Sequence, residues 1–178
     1  MTGFVRTALR RFCRSEDGMA LVPFALWMPF IVGLTLSAIE LGASTLRQST
    51  LDRALDESVR HVKLATGRLV TPEQLKAEIC ERAPVLLSCE SMLQLEMVRL
   101  DMRDWIVPPA QVACVDTGLP VNPQRFFEAG QGHDVMLLRA CYKYRPIGPG
   151  GYLTAALSKD DDGYTALTST TAFVAEPL

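Results

Sequence analysis

MALVPFALWMPFIVGLTLSAI, Met19–Ile39, is a run of 21 residues without a charge in a chain of 178. Coiled into a helix it spans roughly 31 Å at about 1.5 Å per residue, close to the bilayer core of about 30 Å. A core helix of a soluble domain rarely runs so far without a polar flank, so the stretch predicts a membrane span. A cleaved secretory signal fits less well, since its apolar region runs about 7–15 residues with small residues directly after it. Here Gly42, Ala43 and Ser44 come only after the charged Glu40.

The charges around this block are unevenly placed. The whole chain has 18 Lys+Arg against 20 Asp+Glu, a formal −2, which excludes a nucleic-acid binder working through bulk positive charge. Residues 1–18 hold four arginines (Arg6, Arg10, Arg11, Arg14) against Glu16 and Asp17, a net +2, leaving −4 for the rest. Short positive flanks stay cytoplasmic. The expected organisation is a cytoplasmic leader at 1–18, a transmembrane helix at 19–39, an amphipathic continuation of that helix at 40–66, and an extracytoplasmic α+β domain at 67–178. Cysteine placement agrees with this topology. Cys13 falls in the leader, whereas Cys80, Cys89, Cys114 and Cys141 form an even set beyond the span, where disulfides persist. Their gaps of 9, 25 and 27 lack the short C-x-x-C spacing of a zinc site. Two disulfides are expected, and of the three connectivities the local closures Cys80–Cys89 and Cys114–Cys141 are preferred.

Beyond Glu40 the helical pattern continues. Leu51, Leu55, Val59, Val62 and Thr66 form one stripe, with Arg47, Asp52, Arg53, Asp56, Glu57, Arg60 and Lys63 on the remaining faces. Arg53–Glu57 and Asp56–Arg60 are i,i+4 pairs of opposite charge, and Gly67 is a stop signal. One helix is therefore expected over 19–66, kinked near Pro29 and Gly33. Thr71-Pro72-Glu73-Gln74 has the form of a capping box and opens a helix to about Arg82, ended by Ala83-Pro84. LQLEMVRLDM (93–102) reads as a strand whose apolar phase slips at Met97–Val98, predicting a β-bulge or a strand covered on both faces. The stretch 108–132 reads as loop with a short strand around Cys114. Asp134–Tyr144 alternates Met136, Leu138, Ala140, Tyr142 and Tyr144 against Arg139 and Lys143, the pattern of a strand. A loop at 145–151, a turn at Asp160–Gly163 and a Thr-rich strand at Tyr164–Val174 complete the chain. The fold class is α+β, a long N-terminal helix, transmembrane then amphipathic, packed on a C-terminal antiparallel sheet.

The same residues carry a resemblance. An Arg-rich leader, Glu16-Asp17-Gly18, then Met19 through Pro29, and Ile39-Glu40-Leu41-Gly42 resemble the TadE-like pseudopilins of the bacterial tight-adherence (Flp) pilus system. Spaced cysteines, Cys141-Tyr142-Lys143-Tyr144-Arg145-Pro146 and a closing Thr/Ala-rich strand before Glu176-Pro177 extend the similarity over nearly the whole chain. The resemblance implies a pilin-like fold, cleavage by a prepilin peptidase between Gly18 and Met19, and residence in the bacterial inner membrane as a single-pass protein with its C-terminal domain in the periplasm. The implied partners are other pilins or pseudopilins and the inner-membrane assembly platform. Pilin-like proteins carry Glu at the fifth mature position, where it neutralises a neighbour's ammonium terminus. Pro23 stands there in this chain and makes no such pair, which implies a minor component rather than the main fibre subunit. The assembly helix is then represented by Pro23, Phe24, Pro29 and Glu40.

No catalytic constellation accompanies these features, and no cofactor or metal ligand is assigned. His61 and His133 read as surface residues, and Ser88, Ser91 and Ser158 lack a G-x-S-x-G frame. Asp160–Asp162 lacks the alternating spacing of an EF-hand loop and reads as a solvated turn. Gly148–Gly151 has neither the Lys nor the helix of a phosphate cradle. Glu40 reads as a headgroup-level residue or a polar contact to another subunit's helix. Gly33, Thr35 and Ser37 permit close helix–helix contact. The expected role is structural and non-enzymatic; the alternative is an uncleaved single-pass envelope protein with a ligand-binding outer domain.

Overall fold

A computed structural model describes residue 11, residues 20–64, 71–103, 112, 114–116, 127–128, 130–148 and 151–176. The cleavage pair Gly18 and Met19, Cys13, Thr66 and Gly67 lie outside the described residues.

Helix α1, Leu21–Leu64, runs 44 residues through Pro29 as one element. Proline removes one intrahelical donor, and the apolar neighbours on both sides still favour the helix. Helix α2, Pro72–Arg82, starts as its capping box dictates. Thr71 Oγ1 accepts the Gln74 amide at 3.3 Å, and Gln74 Oε1 accepts the Thr71 amide at 3.4 Å. A single-turn helix α3, Cys89–Met92, leads straight into strand β1, Leu93–Leu100. Strand β2, Val135–Tyr144, a short helix α4, Tyr152–Ala156, and strand β3, Thr165–Val174, follow. The strands form one antiparallel sheet in the order β1-β2-β3, which makes the chain α+β.

The sheet lays one face on α1. Leu51, Leu55 and Val59 from the helix meet Leu95, Leu138, Ala140 and Tyr142 from the sheet, and Leu75 and Ile79 of α2 close one side of this core. Of the two readings of β1, the bulge is wrong. Pairing runs unbroken from Leu93↔Tyr142 to Leu100↔Val135, with Leu93 through Met97 all buried. The phase slip marks a strand covered on both faces. On the outer face Glu96 Oε2 accepts a hydrogen bond from Arg139 Nη2 at 2.7 Å, with both side chains buried.

Both disulfides close locally, Cys80–Cys89 and Cys114–Cys141. The first ties α2 to α3. The second ties residue 114 to the outer face of β2, beside buried Val115. Cys114 and its described neighbours form no strand, so the expected short strand is not found among them. Helices α3 and α4 leave no clear periodic signal in the sequence, because elements of one turn owe their geometry to tertiary contacts rather than to propensity.

Candidate functional site

The feature with most functional content is α1 itself, in two parts. From Leu21 to Val32 every residue is exposed, including Phe24, Trp27, Met28 and Phe30. Pro23 and Pro29 sit in this bare stretch. A core helix of a soluble domain would bury these side chains. Among the described residues this is the one helix long and apolar enough to cross a membrane, by length and composition.

From Gly33 onward one stripe of α1 turns against the outer domain. Gly33, Ser37, Glu40, Ser44, Arg47 and Leu51 recur at intervals of four and three, the spacing of one helix face. Its contacts follow one another up the helix. Gly33 is buried under the Tyr152 ring, and a Cβ there would sit 2.5 Å from Tyr152 Cε2. Ser37 Oγ accepts the Leu153 amide at 3.2 Å while donating to the Gly33 carbonyl at 2.8 Å, so it anchors the first turn of α4. Glu40, only 1% exposed, accepts the Ile147 amide at 2.7 Å and the Gly148 amide at 3.2 Å through Oε2. Its Oε1 has no partner among the described residues. The Arg47 guanidinium lies 4.5 Å from the Tyr144 ring centroid, a cation–π contact. Gln48 Nε2 then donates to the Thr168 carbonyl of β3 at 3.0 Å.

Two expectations are corrected here. Glu40 is not a free carboxylate; it holds the chain's own 147–148 backbone. Buried amides need acceptors, and a loop that leaves the sheet beside the helix finds one in this side chain. Arg47 is not on the solvated face either, but is 9% exposed over Tyr144. The Tyr144 hydroxyl is pushed above its ordinary pKa by burial first and by the Glu40 carboxylate second. Tyr142, stacked on Tyr144 with rings 8° apart, is raised by burial and donates to the Leu87 carbonyl at 2.9 Å.

The remaining candidates fall elsewhere. His61 is exposed, 3.1 Å from Arg82 Nη2 and 3.5 Å from Glu78. Exposed His133 donates its amide to the Ala175 carbonyl at 2.8 Å. The Asp160–Gly163 turn is closed from within. Asp160 accepts the Tyr164 amide at 2.7 Å and bonds Lys143 Nζ at 2.8 Å, while Gly163 takes a φ of +79° that favours glycine. Beside that turn an open cleft of about 580 Å³ is lined by Cys114, Lys143, Asp160, Tyr164 and Thr168 among others. Of the predicted site residues, the four cysteines pair and Glu40 joins the junction, whereas Pro23, Phe24 and Pro29 stay on the bare helix. Gly33, Ser37 and Tyr152 complete the junction. Small and polar residues at 33, 37, 40, 44 and 47, inside and after the apolar run, are the signal that marks this face.

No family model, curated protein or solved structure matches the chain.

Proposed function

We propose that the protein is a minor pseudopilin, a structural assembly component of a tight-adherence (Flp) pilus, held in the bacterial inner membrane by α1. The observation that carries this reading is the division of one 44-residue helix into a bare apolar half and a half packed on an antiparallel sheet. A module of this kind is anchored by one end of the helix and presents the sheet domain at the other. The +2 leader supports an N-terminus in the cytoplasm and an outer domain in the periplasm, where both disulfides are stable. Exposed Leu41, two turns above exposed Leu34, continues the apolar surface above the uncharged run, and exposed Leu46 adds to it on another face of the helix. They support contact with other pilin-like helices and with the assembly platform in the membrane. Cleavage between Gly18 and Met19 by a prepilin peptidase is part of the proposal, and Pro23 in place of the pairing glutamate makes the role a minor one.

Deletion of the gene is the direct test. Loss of surface pili and of adherence is expected, restored by the intact gene. Wild-type piliation in the deletion strain would overturn the reading in favour of an uncleaved envelope protein whose outer domain binds a ligand beside Lys143 and Asp160. Mass spectrometry decides processing separately: a chain beginning at Met19 is expected, and an intact Met1 in a strain with active prepilin peptidase refutes it.

A further inference from the structure

We infer that residues 146–148 and 151–158, around α4, are a second membrane contact: they dip into the outer-leaflet interface alongside the top of α1, with Ile147, Tyr152, Ala155 and Ala156 against lipid. This rests on the reading of α1 as a membrane span.

The first observation is one of length. The bare part of α1, Leu21–Val32, is 12 residues and roughly 18 Å of helix, well short of the bilayer core of about 30 Å. The span is completed only by including Gly33–Ile39. That stretch carries α4 on one face, through Tyr152 on Gly33 and the Leu153 amide on Ser37. At the same height its other faces are bare and apolar, with Leu34 68% and Ile39 54% exposed. One layer of surroundings must therefore suit Leu34, Ile39 and α4 together. If lipid covers the first two, it reaches the third.

The second observation is compositional and independent of the first. Residues 146–158 (PIGPGGYLTAALS) contain no charged side chain and are bracketed by Arg145 and Lys159. Ile147 and Tyr152, which a soluble loop has no reason to leave out, are 57% and 55% exposed, and Ala155 and Ala156 are exposed beside them. An apolar stretch flanked by cations is the composition of an interfacial segment, the long cationic side chains reaching out to water and phosphate. The backbone is equipped for that depth. The Ile147, Gly148 and Leu153 amides, which hydrocarbon would leave unsatisfied, bond to Glu40 and Ser37. Glu40 thereby brings no bare carboxylate to the lipid.

The test uses the full chain in phosphatidylcholine/phosphatidylglycerol vesicles, with Trp105→Phe as background. Native Trp27 reports α1; Trp27→Phe with Ile147→Trp reports the dip, and Trp27→Phe with Ala156→Trp is the second probe should the first variant not fold. Quenching is measured with lipids brominated near the glycerol end or the methyl end of the acyl chains, and with aqueous iodide. Trp27 should be quenched by acyl-chain bromine and not by iodide. The tryptophan introduced by Ile147→Trp or by Ala156→Trp should lose more than half of its emission to the glycerol-end bromines, with a blue-shifted maximum and little loss to iodide. Iodide quenching at both engineered positions while Trp27 responds to bromine overturns the dip and leaves the span standing. Iodide quenching of Trp27 as well overturns both. Protection from iodide without bromine quenching overturns the dip in another way, placing a protein partner rather than lipid on α4.

Discussion

Glu40→Ala gives the sharpest perturbation of the junction, because one buried oxygen holds two backbone amides. The 2.7 Å bond to the Ile147 amide is charge-assisted, and such bonds contribute about 1.5–3 kcal/mol; the 3.2 Å bond to Gly148 contributes less. Two effects offset part of this. Ile147 is itself exposed, so its freed amide recovers some solvation, and the substitution also removes the unpartnered Oε1 from a buried place. The net cost to the docked loop is about 2 kcal/mol, which corresponds to a roughly 30-fold larger equilibrium constant for opening. Hydrogen exchange of the Ile147 and Gly148 amides in detergent-solubilised protein reads this locally, while amides in the centre of β2 serve as the internal reference. Glu40→Gln retains a carbonyl acceptor without the charge and should lie between wild type and Ala. Unchanged exchange at 147 and 148 in Glu40→Ala would show that the carboxylate does not hold this loop, and would return Glu40 to the role of a contact for another subunit.

Three further outcomes follow from the outer domain. Removing Arg139's partner with Glu96→Ala should cost about 3–5 kcal/mol in urea unfolding, whereas replacing both residues with Leu and Met should recover most of it, because the pair's burial is expensive and its breakage more so. The Asp160 carboxyl is held below the ordinary carboxylate range chiefly by its hydrogen bond from Lys143. Its contribution is therefore present above the unfolded value near 3.8 and is lost as pH falls through the folded one; Asp160→Asn should show a shallower fall in Tm as pH drops below about 4. For the disulfides, chain-entropy arithmetic gives about 3.5 kcal/mol for the Cys114–Cys141 closure and about 2.7 for Cys80–Cys89. Each bridge joins a buried to a half-buried cysteine, so the weaker local closure Cys80–Cys89 should be the first opened by mild reductant, and mass mapping of alkylated cysteines checks the order.

What the sequence made legible follows from what each pattern records. The long helix, the capping box at Thr71, the alternation in β2, the Thr-rich run of β3 and the local cysteine closures are all statements about neighbours in sequence or about one face against one core. Where the same position answers to two environments the pattern misleads. In β1 the phase slip left a bulge and a doubly covered strand both open, and Gln94 and Glu96 are buried because the outer face of the strand is covered too. Arg47 and Glu40 read as solvated or interfacial charges, since no local rule indicates that a loop more than 100 residues away brings two amides to Glu40. The junction stripe is hidden for a related reason. Amphipathic periodicity shows in large apolar residues, and within an apolar block the docking face is marked instead by what is small or polar.

That stripe also determines which face of the helix remains for partners. Contacts from Gly33 to Gln48 fix α1 against the outer domain at successive heights, through a ring stacked on a glycine, a hydroxyl on a helix start, a carboxylate on a loop and a guanidinium on an aromatic face. Rotating the helix about its own axis breaks all of them together, so its rotation is set by the sheet domain. The neighbouring flank, where Leu34 and Leu41 lie two turns apart and both are exposed, is then held at a defined angle to the sheet. Leu34 belongs to the uncharged run, and Leu41 lies one residue beyond Glu40, at the height of Ile147. Singly exposed leucines are ordinary, but Ile31, Leu34 and Leu41, at spacings of three and seven on a helix whose rotation is fixed, form a surface rather than a scatter. A neighbouring helix docked there meets the sheet domain in one orientation only. The buried Glu40 thus helps fix the rotation of its own helix against the outer domain.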